Sequence, residues 1–299
     1  MRVFEDLIPL LGKDYISGWD PMFFQESVMN GKMMFAPWVG IPTAVLYRKD
    51  LWAAAGNPAF PKTWDEFLAV AKKLTVDTDK DGKIDQYGWA IVGTPNGSGQ
   101  GRFSQVVRNS GGYNYRETAA GKWESGAMTK GYLDALTLYQ DAVKEGVVPP
   151  GYTSTGYPEA SAQIANGKGV MMITGPHSLG IIMKANPALD GKIGGFPMPT
   201  NNGASPVTTL GNLGYAVSKS GKNKPLAIEY IKFQLSTKYQ LAYNKVEWRL
   251  PSRLKAQKEP QVTGGMAAGF VGALKGGLWT EPTASFNGSI VKVDYEAYS

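Results

Sequence analysis

The tightest spacing of chemically capable side chains lies in one acidic loop. Asp77, Asp79, Asp81, Gly82 and Asp85 fill positions 1, 3, 5, 6 and 9 of a calcium-loop pattern, with Ile84 at the usual apolar place. Three alternating carboxylates and a turn glycine suit a hard cation, with the Lys83 carbonyl as a further oxygen and Gln86 as a helper. Position 12 is Gly88 rather than Glu, so the bidentate ligand is missing. A structural Ca²⁺ site and a charged solvated turn both account for these residues, and no other metal or cofactor is called for.

Catalytic chemistry finds little to work with. The chain has no Cys and a single His, His177, which argues against thiolate catalysis, multi-His metal sites and a Ser-His-Asp triad. No nucleophile elbow, Walker loop or dinucleotide fingerprint is present, and Gly97-Ser98-Gly99-Gln100-Gly101 lacks the Lys and Ser/Thr of a phosphate loop. A carbohydrate-active hydrolase would need two carboxylates across a sugar. Asp65 and Glu66 are accounted for by helix capping, and Asp77 to Asp85 by the loop.

The 299 residues are 43% apolar and 19% charged, an ordinary globular balance, and the longest apolar runs fall far short of a membrane span. The net charge of +6 is scattered rather than gathered into a patch, so a solvated surface and no nucleic-acid partner are expected.

Short helices are predicted over 4–30, then strands at 33–36, ending at Pro37, and at 44–47. Thr63 and Glu66 form a capping box for a helix to about Leu74. A strand at 87–92 precedes a glycine-rich loop at 93–101; helices are expected at 102–110, 129–145, 161–166 and 225–235, and strands at 169–173 and 213–217. Strands alternating with helices predict an α/β fold.

Six segments resemble, in order, the sugar-type extracellular solute-binding proteins (family 1) of ABC transporters. They are Gly31 to Trp38, Ala44 to Trp52 with Ala55-Gly56, Pro61 to Glu66, Asp81 to Gly88, Gly167 to Pro176 and Arg249 to Ser252. The resemblance implies a two-lobed periplasmic-binding-protein fold, type II-like, with solute bound in the cleft and closure of the lobes around it. Residues 1–42 and 208–250 would form the first lobe, and 43–207 with 251–299 the second. The family's usual opening strand and β-α units do not precede Met1, nor does its final helix follow the last motif, so the first lobe is expected to be partial. No secretory signal opens the sequence.

By the same resemblance the protein would be a monomeric, non-enzymatic binding subunit that delivers a sugar or similar small polar solute to a membrane permease. It would work in the periplasm or outside the cell, lipid-anchored in a Gram-positive source. A ligand sensor for a signalling receptor is the rival reading. The implied solute contacts are Trp38, Asn96, Ser98, Gln100, Arg102, His177, Ser178, Asn212, Trp248 and Arg249, with Trp279 and Phe286 weaker. Most have a plain structural alternative. Trp38 would serve as a core plug, the 96–102 residues as a mobile surface loop, His177 as a surface or satisfied structural residue, Ser178 as a helix cap, Asn212 as part of a tight crossing and Arg249 as a surface ion-pair partner.

Overall fold

The computed structural model describes residues 3–279. Seven strands carry the frame: β1 (Ala36–Gly40), β2 (Ala44–Arg48), β3 (Tyr87–Trp89), β4 (Gly169–Thr174), β5 (Ile193–Phe196), β6 (Leu213–Tyr215) and β7 (Leu250–Pro251). The helices that matter for the site are α1 (Trp64–Lys73), α2 (Gly97–Asn109), α3 (Lys130–Lys144), α4 (Tyr157–Asn166), α5 (Ser178–Ala185), α6 (Lys224–Gln234), α7 (Thr237–Glu247) and α8 (Ala268–Ala273).

β3, β4, β2 and β5 form one four-stranded sheet in that order, with β3 parallel to β4 and β2 antiparallel to both β4 and β5. Every residue of β4 is buried, as expected of a strand covered on both faces. One face packs Val45 and Trp89 against Phe67 of α1, Phe103 of α2 and Tyr139 of α3. The other packs Leu46 and Met172 against Ile164 of α4, Ile182 of α5 and Phe270 of α8. This is the second lobe.

β6, β1 and β7 form a smaller antiparallel sheet in that order. Its apolar cluster joins Leu7, Trp19 and Met33 to Ile228 and Ile231 of α6. This first lobe also holds the short helix Leu254–Gln257, whose Leu254 N–H donates to the Gly18 carbonyl, so its packing runs past residue 250. α8 then lies on β5 in the second lobe.

Three stretches cross between the lobes and bond to one another. The Thr208 hydroxyl donates to the Thr43 carbonyl and accepts from the Thr43 N–H, both at 2.8 Å. Ile41 donates to Leu210, and Trp279 donates to Thr208. No helix among the described residues is long and apolar enough to cross a membrane.

Three local expectations change. The strand expected over 33–36 with a stop at Pro37 instead runs from Ala36 to Gly40, and Pro37 lies beside a register shift at Leu213/Gly214 where its missing N–H costs no ladder bond. The Pro37 carbonyl is taken by Trp19 Nε1 and the Ser252 hydroxyl. The loop expected at 93–101 is helical from Gly97, because the Asn96 carboxamide caps the Ser98 and Gly99 N–H groups. A hairpin at 115–125 and the helix α7 have no counterpart in the predicted elements.

Candidate functional site

Two sets of aromatic and basic side chains meet where the lobes approach. On the first lobe, Trp38 sits at the middle of β1, half-buried, with its ring 4.3 Å from that of Tyr243 and 5.3 Å from that of Tyr215. Tyr243 projects from α7 on the same face as the buried Gln240, which ties α7 to β1 through the Trp38 carbonyl. The Tyr243 hydroxyl accepts a 2.7 Å hydrogen bond from Arg249 Nη1. Arg249 Nη2 approaches the Glu247 carboxylate at 4.0 Å, and Nε is buried with no partner among the described residues.

On the second lobe, His177 precedes α5, and its ring lies tilted 31° over Tyr157 at 4.9 Å. Gly175 makes this possible: a Cβ there would stand 2.3 Å from Ile41 Cγ2 and 2.9 Å from His177 Nδ1. That nitrogen is buried and has no partner among the described residues. Burial, reinforced by the Arg102 and Arg249 charges, pushes the His177 pKa down to about 3, so the imidazole is neutral at physiological pH. Burial raises the Tyr157 pKa, opposed by a hydrogen bond with Ser178 and by the same two arginines. Arg249 therefore belongs to both sets: it bonds Tyr243 and its field reaches Tyr157 and His177.

Arg102 is held rather than free. Its Nε donates to the Ile173 carbonyl, Nη1 to the Ser98 carbonyl and hydroxyl, and Nη2 to the Thr174 hydroxyl. Its guanidinium carbon lies 5.2 Å from the Tyr157 ring centroid. Ser178 is buried, shares a 2.6 Å hydrogen bond with Thr174, and is the first residue of α5 rather than its cap. This network fixes the floor beneath Tyr157 and His177.

The other residues singled out in the sequence take the following places. Asn96 is occupied in capping α2, and Gln100 donates to the Ser104 hydroxyl along that helix. Asn212 donates to the Phe23 carbonyl beside the crossing, and its Oδ1 is buried without a partner among the described residues. Trp248 takes a left-handed conformation at φ 59° and packs onto the second lobe's cluster with Met183 and Tyr157. Trp279 sits on the third crossing with the Arg108 guanidinium 5.7 Å from its ring. Phe286 lies outside the described residues.

Asp77, Asp79 and Asp85 bring carboxylate oxygens within 4.8 Å of one another. Asp81 and Lys83 stand apart from that trio: the Asp81 carboxylate accepts from the Lys83 N–H, and the Lys83 ammonium reaches Asp81 at 4.0 Å. The Gln86 side chain turns inward and donates to the Leu74 carbonyl, so it is not a ligand.

Sequence reasoning passes over Tyr157, Tyr215 and Tyr243. Tyr157 opens α4 and Tyr243 stands three residues from Gln240 and one from Asn244, both buried. A ring beside a buried polar pair on one helix face is the available signal.

A family model described as bacterial extracellular solute-binding protein matches residues 3–241. The diacetylchitobiose-binding protein DasA of Streptomyces coelicolor is 26% identical over 238 residues, covering 79% of this chain and 53% of that protein. A putative binding protein of Brucella abortus is 27% identical over 258 residues, covering 84% and 59%. The chain thus spans between half and three-fifths of the length of these curated relatives. Among solved structures, maltose-bound MalE3 of T. maritima superposes with a TM-score of 0.82 at 24% identity, over 99% of this chain and 74% of that one. A Thermotoga lettingae solute-binding protein bound to α-D-tagatose gives 0.84 at 20% identity, with the same coverage. The two-lobed α/β fold is therefore that of the MalE-like periplasmic binding proteins.

Proposed function

Because the chain belongs to the bacterial extracellular solute-binding protein family, we propose that it is the solute-capturing subunit of an ABC importer, holding a sugar between its lobes for a membrane permease. The family and the fold are those of binding proteins, not of enzymes. The observation that carries the reading is the pairing of Trp38, Tyr215 and Tyr243 on one lobe with Tyr157 and His177 on the other, bridged by Arg249. Flat rings suit the C–H faces of a sugar, and neutral His177 with the tyrosine hydroxyls suits its hydroxyl groups. Diacetylchitobiose, maltose and tagatose, named for the relatives, are the first candidates.

Binding would favour the arrangement in which both lobes touch solute, a population shift rather than a chemical step. The setting is extracytoplasmic, the working unit a monomer, and no cofactor takes part. The Asp77, Asp79 and Asp85 trio supports a structural Ca²⁺ in the second lobe.

Thermal denaturation against sugars, polyols, sugar phosphates and amino acids, with and without Ca²⁺, tests this. A ligand bound only by the folded chain raises its melting temperature, by about 2.7 kcal/mol of stability at a hundredfold excess over Kd. A rise with a sugar supports the reading, and a rise only with amino acids sinks it. A rise with Ca²⁺ alone that Asp77→Asn removes assigns the loop to the ion.

A further inference from the structure

Resting on that reading, the charges at the lobe junction narrow the class of solute. Two guanidinium groups, Arg102 and Arg249, act on both Tyr157 and His177, and the carboxylate acting on Tyr157 and Tyr243 is that of Glu247. Of the charged groups that act on these three rings, two are cationic and one is anionic. His177 adds no charge, being neutral.

The two arginines differ in what they have left to offer. Arg102 is committed through Nε, Nη1 and Nη2 to the chain around it. Arg249 uses only Nη1, toward Tyr243. Its Nε is buried without a partner among the described residues, and its Nη2 stays at 4.0 Å from Glu247, beyond hydrogen-bond range. Nε and Nη2 are adjacent donors on one edge of a planar fork, the edge that takes a carboxylate in two parallel hydrogen bonds. His177 Nδ1, across the junction, is a second buried polar atom without a partner among the described residues.

We infer that the solute is an acidic sugar, a hexuronate or uronate-containing saccharide, whose single carboxylate is received by the Nε–Nη2 edge of Arg249. The planar Nε–Nη2 edge matches a planar carboxylate; a phosphate monoester would bring nearly two negative charges and a tetrahedral array of oxygens. The tyrosine and tryptophan rings beside Arg249 receive the sugar face, and His177 meets a ring hydroxyl. Trp38 and Tyr243 alone would suit neutral sugars, so the specificity is placed on Arg249.

Calorimetric titration of the 299-residue chain with galacturonate, glucuronate and di- and tri-uronides, beside galactose, glucose, maltose, chitobiose and glucose 6-phosphate, decides this. The expected result is that an acidic sugar binds at least about tenfold more tightly than its neutral counterpart, in line with one charge-assisted pair. Arg249→Gln then abolishes the preference, bringing the acidic-to-neutral affinity ratio down to about one. Equal or tighter binding of neutral sugars, or a preference kept by Arg249→Gln, overturns the inference and leaves the sugar-binding reading intact. Preference for glucose 6-phosphate overturns it as well. Binding of neither acidic nor neutral sugars overturns both. Should Arg249→Gln fail to fold, the test passes to the acidic-to-neutral ratio of the wild type and of Arg249→Lys, which keeps the charge but loses the fork. A ratio that falls in Arg249→Lys supports the inference, and an unchanged ratio overturns it.

Discussion

The two lobes meet at one site but are built to different standards. In the second lobe a four-stranded sheet is covered on both faces, and Trp89, Phe67 and Phe103 lie fully buried. In the first lobe a three-stranded sheet carries a two-residue edge strand, and α6 shows an apolar row to solvent: Leu226 is 63% exposed, Tyr230 52% and Phe233 48%. The same contrast holds at the site. Arg102, Ser178 and Thr174 lock the second lobe's half in place, whereas Arg249 is anchored by one hydrogen bond to Tyr243. A rigid floor therefore faces an adjustable wall.

The largest effect should come from the rigid lobe's core. Trp89→Ala removes a ring packed edge-on against Phe67 and Tyr139, and should cost about 3–5 kcal/mol. Hydrogen exchange should show the β4 amides most protected and the β6 amides opening at lower cost, with Trp89→Ala lowering protection in β4 far more than in β6. Equal loss in both would mean that the lobes unfold as one unit, and the contrast would fail.

Much of this contrast is legible in the sequence. The Thr63–Glu66 capping box, α3, α4 and β4 all follow from it to within a few residues, because local capping and periodicity decide them. Their burial is not fully readable, since Tyr157 meets His177 only when α4 is set beside the loop before α5. Asn96 shows the reverse case: its surroundings suggest a contact loop, and its side-chain oxygen caps α2. Trp248 reads in the sequence as a solute contact, and its left-handed turn seats it against the second lobe's cluster with Tyr157. Residues whose roles depend on contacts with distant parts of the chain carry no local mark of them.

A pH titration probes the floor. His177 has a folded pKa of about 3, against about 6.5 unfolded, so the unfolded chain binds an extra proton between those values. Its neutral burial contributes stability that is fully present above about pH 6.5 and lost as the pH falls toward about 3. The slope approaches about 1.4 kcal/mol per pH unit at most. Urea unfolding of wild type and His177→Asn between about pH 7 and 4 should give a shallower dependence in the variant. Parallel curves would mean that His177 is solvated, and the floor less rigid than its contacts indicate.

The smallest expected effect tests the seam itself. Gly180 in α5 lets the second lobe approach α7, and a Cβ there would stand 3.3 Å from the Val246 carbonyl, beside the place where Trp248 crosses. Leucine at that position is too large for the gap and should hold the lobes apart. It also replaces a helical glycine, which by propensity alone favours α5 by somewhat under ~1 kcal/mol. Gly180→Leu should therefore weaken solute binding by about tenfold, ~1.4 kcal/mol, while leaving the melting temperature of the free chain level or slightly raised. Loss of affinity with retained stability is the signature of a blocked approach between lobes. Unchanged affinity would place the bound arrangement elsewhere, with the wall reaching the solute without α7 settling on α5. Calorimetry beside a melting curve on one variant separates the two.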